Sequence, residues 1–144
     1  MKIEKMTAVQ LDEVAQLEEK CFVHPWSRQS LASELANENS VFLTAVEDNK
    51  VVGYIGMNVV IDEGYIFNVA VDEKYRKRGI GSALIGELVT FGKKNNLCFL
   101  TLEVRESNDQ ALSLYSKFGF IKVGNRKAYY KEPVENAVLM TKYF

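Results

Sequence analysis

The sequence predicts a single mixed α/β domain, a central sheet of about seven strands flanked by about four helices. Three observations carry that class. The chain has 144 residues, 47% of them apolar, enough for one sizeable core and too few for two ordinary domains. Residues 41–71 hold three strand-like runs joined by short polar turns. Residues 65–104 then read as strand, glycine-bearing turn, amphipathic helix and strand, the layout of a parallel, right-handed crossover.

A short strand over residues 2–6 opens the chain. Thr7-x-x-Gln10 has capping-box spacing and starts a helix whose inner stripe is Leu11, Val14, Leu17 and Cys21. Pro25 interrupts, and Ser27 caps a second short helix with Leu31 and Leu35 inward. These two helices read as a lid-sized unit. Strands follow over residues 41–47, 51–60 and 65–71, and their short connections require antiparallel neighbours. The third is apolar on both faces except at Asn68, as expected of a central strand covered on both sides.

Ile80, Leu84, Leu88 and Phe91 recur on one helical face, and residues 97–104 supply the strand the crossover demands. Ser107-x-x-Gln110 is a second capping-box spacing, opening a helix with Ala111, Leu114, Tyr115 and Phe118 on its apolar side. Gly119 is placed to stop it in a left-handed conformation. Residues 120–123 and 137–140, with Tyr129-Tyr130 between them, complete the sheet as antiparallel strands.

Composition excludes several classes. The 18 basic and 19 acidic residues nearly cancel, against both disorder and a surface that coats nucleic acid. Met1-Lys2-Ile3-Glu4 lacks the apolar core of a secretory signal, and no window approaches the roughly 18 apolar residues that cross a bilayer. A soluble cytoplasmic protein is expected, with neither membrane nor nucleic acid as direct partner. Cys21 and Cys98 lie in apolar surroundings and read as buried thiols, not a disulfide. One histidine and no cysteine cluster argue against a metal site.

The chemistry-bearing stretch is Tyr75-Arg76-Lys77-Arg78-Gly79-Ile80-Gly81. A helix that starts at Gly79 presents unpaired amides and the positive end of its dipole to an anion. Gly79 and Gly81 keep side chains from that approach, and Arg76, Lys77 and Arg78 add charge. No Gly-Lys-Ser/Thr ending follows, which argues against a nucleotidase P-loop. The ordinary alternative is a tight turn with solvated cations. Glu103 falls near the C-terminal end of the next strand, where ligands gather in open α/β sheets. A surface ion pair with Arg105 or another cation is its bland reading, and a base beside a bound cofactor its functional one. Tyr115 reads as a core aromatic whose phenol can also serve a leaving group.

Taken together these segments resemble the GCN5-related N-acetyltransferase superfamily and, within it, the ribosomal-protein alanine N-acetyltransferase branch. Cys21-Phe22, Pro25-Trp26-Ser27, Asp62-Glu63 and Phe67-Asn68-Val69-Ala70-Val71 carry the resemblance, with the glycine-bearing turn. It continues through Leu102-Glu103-Val104-Arg105, Ser107-Asn108, Leu114-Tyr115, Gly119-Phe120, Arg126, Tyr129-Tyr130 and Glu135-Asn136-Ala137, covering nearly the whole chain.

The resemblance implies acetyl-CoA as co-substrate and no metal. Its pyrophosphate would lie on Arg76, Lys77, Arg78, Gly79, Ile80, Gly81 and Ser82, its pantetheine arm along Val69, Ala70 and Val71, with Asn108 near that arm and Tyr115 near the sulfur. Glu103 would be the base and Tyr115 the acid. Trp26, Asp62, Glu63, Asn68, Tyr129, Tyr130 and Glu135 would face a protein N-terminus, that of ribosomal protein S18 above all, bound by a monomer or weak dimer. Asn136 replaces an acid often found there, and Val23-His24 departs from the usual residues before Pro25, changes that bear on substrate preference. A ping-pong route through Cys21 or Cys98 has no histidine to support it, and His24 reads as a loop residue. Acetylation of a small-molecule amine, or a non-catalytic acyl-CoA-binding module, stays open at this level.

Overall fold

The computed structural model describes residues 1–144. Seven strands form one sheet in the order β1-β2-β3-β4-β5-β7-β6. They are β1 (Lys2–Lys5), β2 (Ser40–Glu47), β3 (Lys50–Val60), β4 (Glu63–Val71), β5 (Phe99–Arg105), β6 (Ile121–Lys131) and β7 (Val134–Tyr143). All neighbours are antiparallel except β4 and β5. That one parallel pair is joined by the helix α3 (Ile80–Lys94), because parallel strands need a crossover.

The larger apolar cluster lies between the sheet and α3, with Leu84, Ile85, Leu88, Leu100 and Met140 essentially excluded from solvent. The other face is covered by α1 (Leu11–Cys21) and α2 (Arg28–Leu35). Val14, Leu17 and Leu31 there pack with Phe42, Tyr54 and Ala70. These helices are therefore a fixed layer of the core and not a lid, since burying their stripes contributes about 1.5–3 kcal/mol per large side chain. Gln10 reaches back to the Thr7 amide at 3.0 Å, although a 3-10 turn over Ala8–Gln10 precedes the helix proper.

The second capping site differs from expectation. Asn108, not Ser107, caps α4 (Asp109–Lys117), its side chain accepting from the Ala111 amide at 3.1 Å. The Ser107 amide is taken instead by the Glu135 carboxylate at 2.5 Å, which fixes the turn and makes Asn108 the first free cap. Gly119 is left-handed at φ 89°. The last two strands run well beyond residues 120–123 and 137–140, through two irregularities in their register. Their polar, exposed residues carried no apolar alternation to reveal them. No helix is long and apolar enough to cross a membrane.

Candidate active site

The site is built where the parallel pair comes apart. Strands β4 and β5 pair only at Glu63↔Phe99, Gly64↔Leu100 and Tyr65↔Thr101, while β4 continues to Val71 and β5 to Arg105. The edge of β4 over residues 66–71 therefore has a strand partner on one side only. Backbone N–H and C=O groups on such an edge demand a partner, and an extended ligand can supply it. Val69, Ala70 and Val71 lie on this edge.

At the end of β4, the 3-10 turn Glu73–Tyr75 leads into the glycine turn. Gly79 adopts φ 79°, and the space around a side chain there is empty. The first ladder bond of α3 runs from the Ala83 amide to the Gly79 carbonyl at 3.0 Å, and no side chain caps the helix. The amides of Ile80, Gly81 and Ser82 thus point out unpaired, as an anion site requires. The residues present fit a pyrophosphate.

The three cations divide. Arg76 donates from Nε to the Val71 carbonyl at 3.1 Å and approaches the Cys21 sulfur at 3.7 Å. Arg78 pairs with Glu47 at 3.3 Å and stacks over Tyr75. Lys77 has no ion-pair partner.

Glu103, on β5, faces away from α3 and toward the late hairpin. Its carboxylate forms an ion pair with Arg126, Oε1 to Nε 3.1 Å, and not with Arg105. Tyr129 lies beside the same carboxylate, and its interaction with Glu103 first, then the phenol's own partial burial, raises the Tyr129 pKa. Across the opening Tyr115 is 7% exposed. Burial first, then the neighbouring Tyr130, pushes its phenol up to about 12, which keeps the proton in place at neutral pH. Tyr130 is likewise pushed up to about 12 by burial and then by Tyr129. The fold therefore brings Glu103, Tyr115, Tyr129 and Tyr130 to one opening, with Asn108 at the start of the Tyr115 helix.

The walls of this opening are the loop between α1 and α2 and the hairpin of β6 and β7. His24 on one lies 3.7 Å from Glu132 on the other. Trp26 stacks on Phe67 with centroids 4.9 Å apart. Glu135, expected to face substrate, is engaged within the protein. It accepts from Arg105 at 3.3 Å and from the Ser107 amide, and those bonds, those of Ser107 first, lower its pKa. Arg105 also holds the Glu132 and Pro133 carbonyls at 3.0 and 3.1 Å and lies over the Tyr130 ring at 4.3 Å. Asp62 and Glu63 sit at the far, paired end of β4, where Asp62 accepts from the Cys98 thiol at 2.9 Å and Glu63 from Tyr65.

Cys98 is exposed, contrary to the expected burial. It precedes β5, and Leu97 takes the inward position instead. Cys21 is half-buried, and burial raises its thiol pKa. The sequence reading missed Glu18, the one fully buried carboxylate. Its position seven residues after Leu11 places it on the inner face of α1, a signal hidden by the assumption that charge means solvent.

Strands that separate while staying in one sheet leave backbone groups open to a ligand, and this parting places the protein in the acyl-CoA acyltransferase fold class. The chain belongs to the acetyltransferase (GNAT) family, whose pattern matches residues 11–120. Within it, the chain groups with the bS18-alanine N-acetyltransferase branch. The ribosomal protein bS18-alanine N-acetyltransferase of Haemophilus influenzae is 35% identical over 144 residues, covering 98% of this chain and 97% of that protein. The crystal structure of the Escherichia coli ribosomal-protein-S18-alanine N-acetyltransferase superposes with a TM-score of 0.92 at 30% identity, covering 99% of this chain and 92% of that one. The PaiA N-acetyltransferase of Thermoplasma acidophilum, solved in complex with coenzyme A, shares the fold with a TM-score of 0.83 at 18% identity over 99% of this chain and 98% of that one.

Proposed function

We propose that this acetyltransferase moves the acetyl group of acetyl-CoA to the N-terminal α-amine of a protein in the cytoplasm, with the N-terminal alanine of ribosomal protein S18 as its leading acceptor. The parting of β4 from β5 after Tyr65↔Thr101, with Glu103 and Tyr115 facing the opening, carries the reading. The named relatives that span nearly the whole chain support the choice of acceptor.

The residues divide the work as follows from their chemistry. The amides at the start of α3 and Lys77 hold the anionic end of the co-substrate, and the open β4 edge pairs with its extended arm. An α-amine has a pKa of about 7.7–8.0 and is mostly protonated near neutral pH, so it must lose a proton before attack. Glu103 takes that proton directly or through one water. The N–C bond forms, the C–S bond breaks, Tyr115 gives its proton to the departing thiolate, and the second amine proton, shed as the amide forms, restores the phenol. Backbone amides of the open edge, those of Val69 or Ala70, stabilise the charge that develops on the carbonyl oxygen. Holding both reactants together replaces an enzyme nucleophile. Arg126 keeps the Glu103 carboxylate turned toward the opening, and Tyr129 and Tyr130 form the acceptor wall.

Incubation with acetyl-CoA and peptides that differ in their first residues, followed by fragmentation mass spectrometry, tests the reading. Acetylation at the amino terminus of alanine-starting ribosomal peptides is expected. Exclusive modification of lysine side chains or free polyamines overturns it.

A further inference from the structure

The geometry points to Glu18 as a positioning residue that ties the Trp26 loop to the β4 bulge, so that the acceptor wall and the cleft opening hold one geometry. This rests on the transferase reading above. Glu18 is wholly buried and has no cation as partner. Three donors from three parts of the chain converge on it instead. Oε1 accepts the Trp26 amide at 2.8 Å. Oε2 accepts Asn68 Nδ2 at 2.9 Å and the buried Tyr54 hydroxyl. Burying a carboxylate without a countercharge is costly, and an apolar residue would pack α1 more simply. What the carboxylate provides is acceptor capacity on both oxygens, which no uncharged side chain offers.

The bulge explains why Asn68 is within reach. Gly56 pairs with Asn68 and Met57 with Ile66, so Phe67 is an extra residue on β4. Strict alternation would turn Asn68 away from Phe67, toward α3. With the bulge, both face α1, and Val69 returns to the α3 side. The Phe67 ring lies directly over Gly56, where a side chain would come within 2.3 Å of it, and Trp26 stacks on that ring. Glu18 therefore grips the same loop and the same bulge from beneath that Trp26 and Phe67 join from above. The bulge stands just past the last paired residue, Tyr65, at the mouth of the opening.

The test uses the donor and acceptor pattern. Glu18→Gln keeps shape and volume but turns one acceptor into a donor, facing either the Trp26 amide or the Asn68 amide. Asn68→Asp alone sets two carboxylates against each other. Together the two substitutions restore a match, the new amide at position 18 donating to the new carboxylate at position 68 while its oxygen keeps the Trp26 amide, and the Tyr54 hydroxyl, 3.4 Å from Asn68 Nδ2 in the wild type, turns its proton to that carboxylate. Each single variant is expected to raise the peptide KM about tenfold, the effect of one mismatched buried pair, with acetyl-CoA KM within about twofold. Trp26 is the sole tryptophan, so its emission reads the loop directly and shifts to the red in E18Q. The double variant recovers both the peptide KM and the emission.

A melting temperature that falls while peptide KM and emission stay put assigns Glu18 a purely structural role and overturns the proposal. So does a double variant no better than the worse single, or one that does not fold. If E18Q itself fails to fold, recovery of the double beyond N68D decides. Wild-type protein inactive on every peptide removes the transferase reading itself, an outcome distinct from an active enzyme indifferent to E18Q.

Discussion

Replacing Tyr115 by Phe separates chemistry from packing more sharply than any other change in this site. The ring is core, 7% exposed, packing against Phe120 with centroids 5.8 Å apart. Its hydroxyl makes no hydrogen bond within the protein, and no fully buried side-chain polar atom is without a partner, so the phenol oxygen reaches solvent at the opening. Phe keeps the ring and removes that one group. Stability should change by no more than about 0.5 kcal/mol, as for a substitution that breaks no contact, or about 1–2 °C in Tm for a chain of this size. Loss of a positioned proton donor should lower kcat by about 10²–10⁴, equivalent to about 2.7–5.4 kcal/mol in the barrier. Steady-state kinetics with acetyl-CoA and an acceptor peptide, beside thermal melts, measure both. By contrast Tyr115→Ala should lose about 3–5 kcal/mol of stability through its cavity. An unchanged kcat in Y115F would falsify the assignment of Tyr115 as the acid.

Glu103→Gln should cut kcat at neutral pH by about 10²–10⁴ while calorimetry finds CoA affinity unchanged, and a pH–rate profile identical to wild type would exclude Glu103 as the base. Gly79→Ala forces a side chain into φ 79°, at about 1–2 kcal/mol, so acetyl-CoA KM should rise several-fold while peptide KM does not. Arg105→Ala releases two hairpin carbonyls and the Tyr130 ring. Its peptide KM should rise, with acetyl-CoA KM unmoved, and equal shifts in both would count against the hairpin as acceptor wall. Burial raises the Glu18 pKa, so the folded state holds that proton more tightly than the unfolded chain does. The stability of wild type relative to E18Q should therefore increase as pH falls through the folded pKa toward about 4.3 and be lost as pH rises again, and denaturant melts showing the opposite slope would refute it.

Periodicity and turn chemistry made much of this protein legible. The crossover through residues 65–104, the left-handed Gly119 and the glycine turn before α3 are patterns written in contiguous stretches of the chain. Residues that work through distant partners were less visible. The partner of Glu103 is Arg126, not the nearby Arg105, because β6 returns beside β7 and brings it across. Glu135 is drawn inward by Arg105 and the Ser107 turn, and Cys98 lies outside because the chain turns inward at Leu97.

The order of apolar and polar residues, with two glycines at a strand-to-helix turn, determined by itself that this chain folds as a mixed sheet with one crossover and an uncapped helix start after that turn. Those features depend on short-range backbone geometry and on which face each side chain can bury. Only the tertiary structure decided that β4 and β5 part after three paired residues, that a bulge turns Asn68 toward α1, and that Glu18 is buried among three donors. Such features arise from pairing between segments as many as fifty residues apart, where the cost of an unmatched polar group, and not local propensity, selects the arrangement.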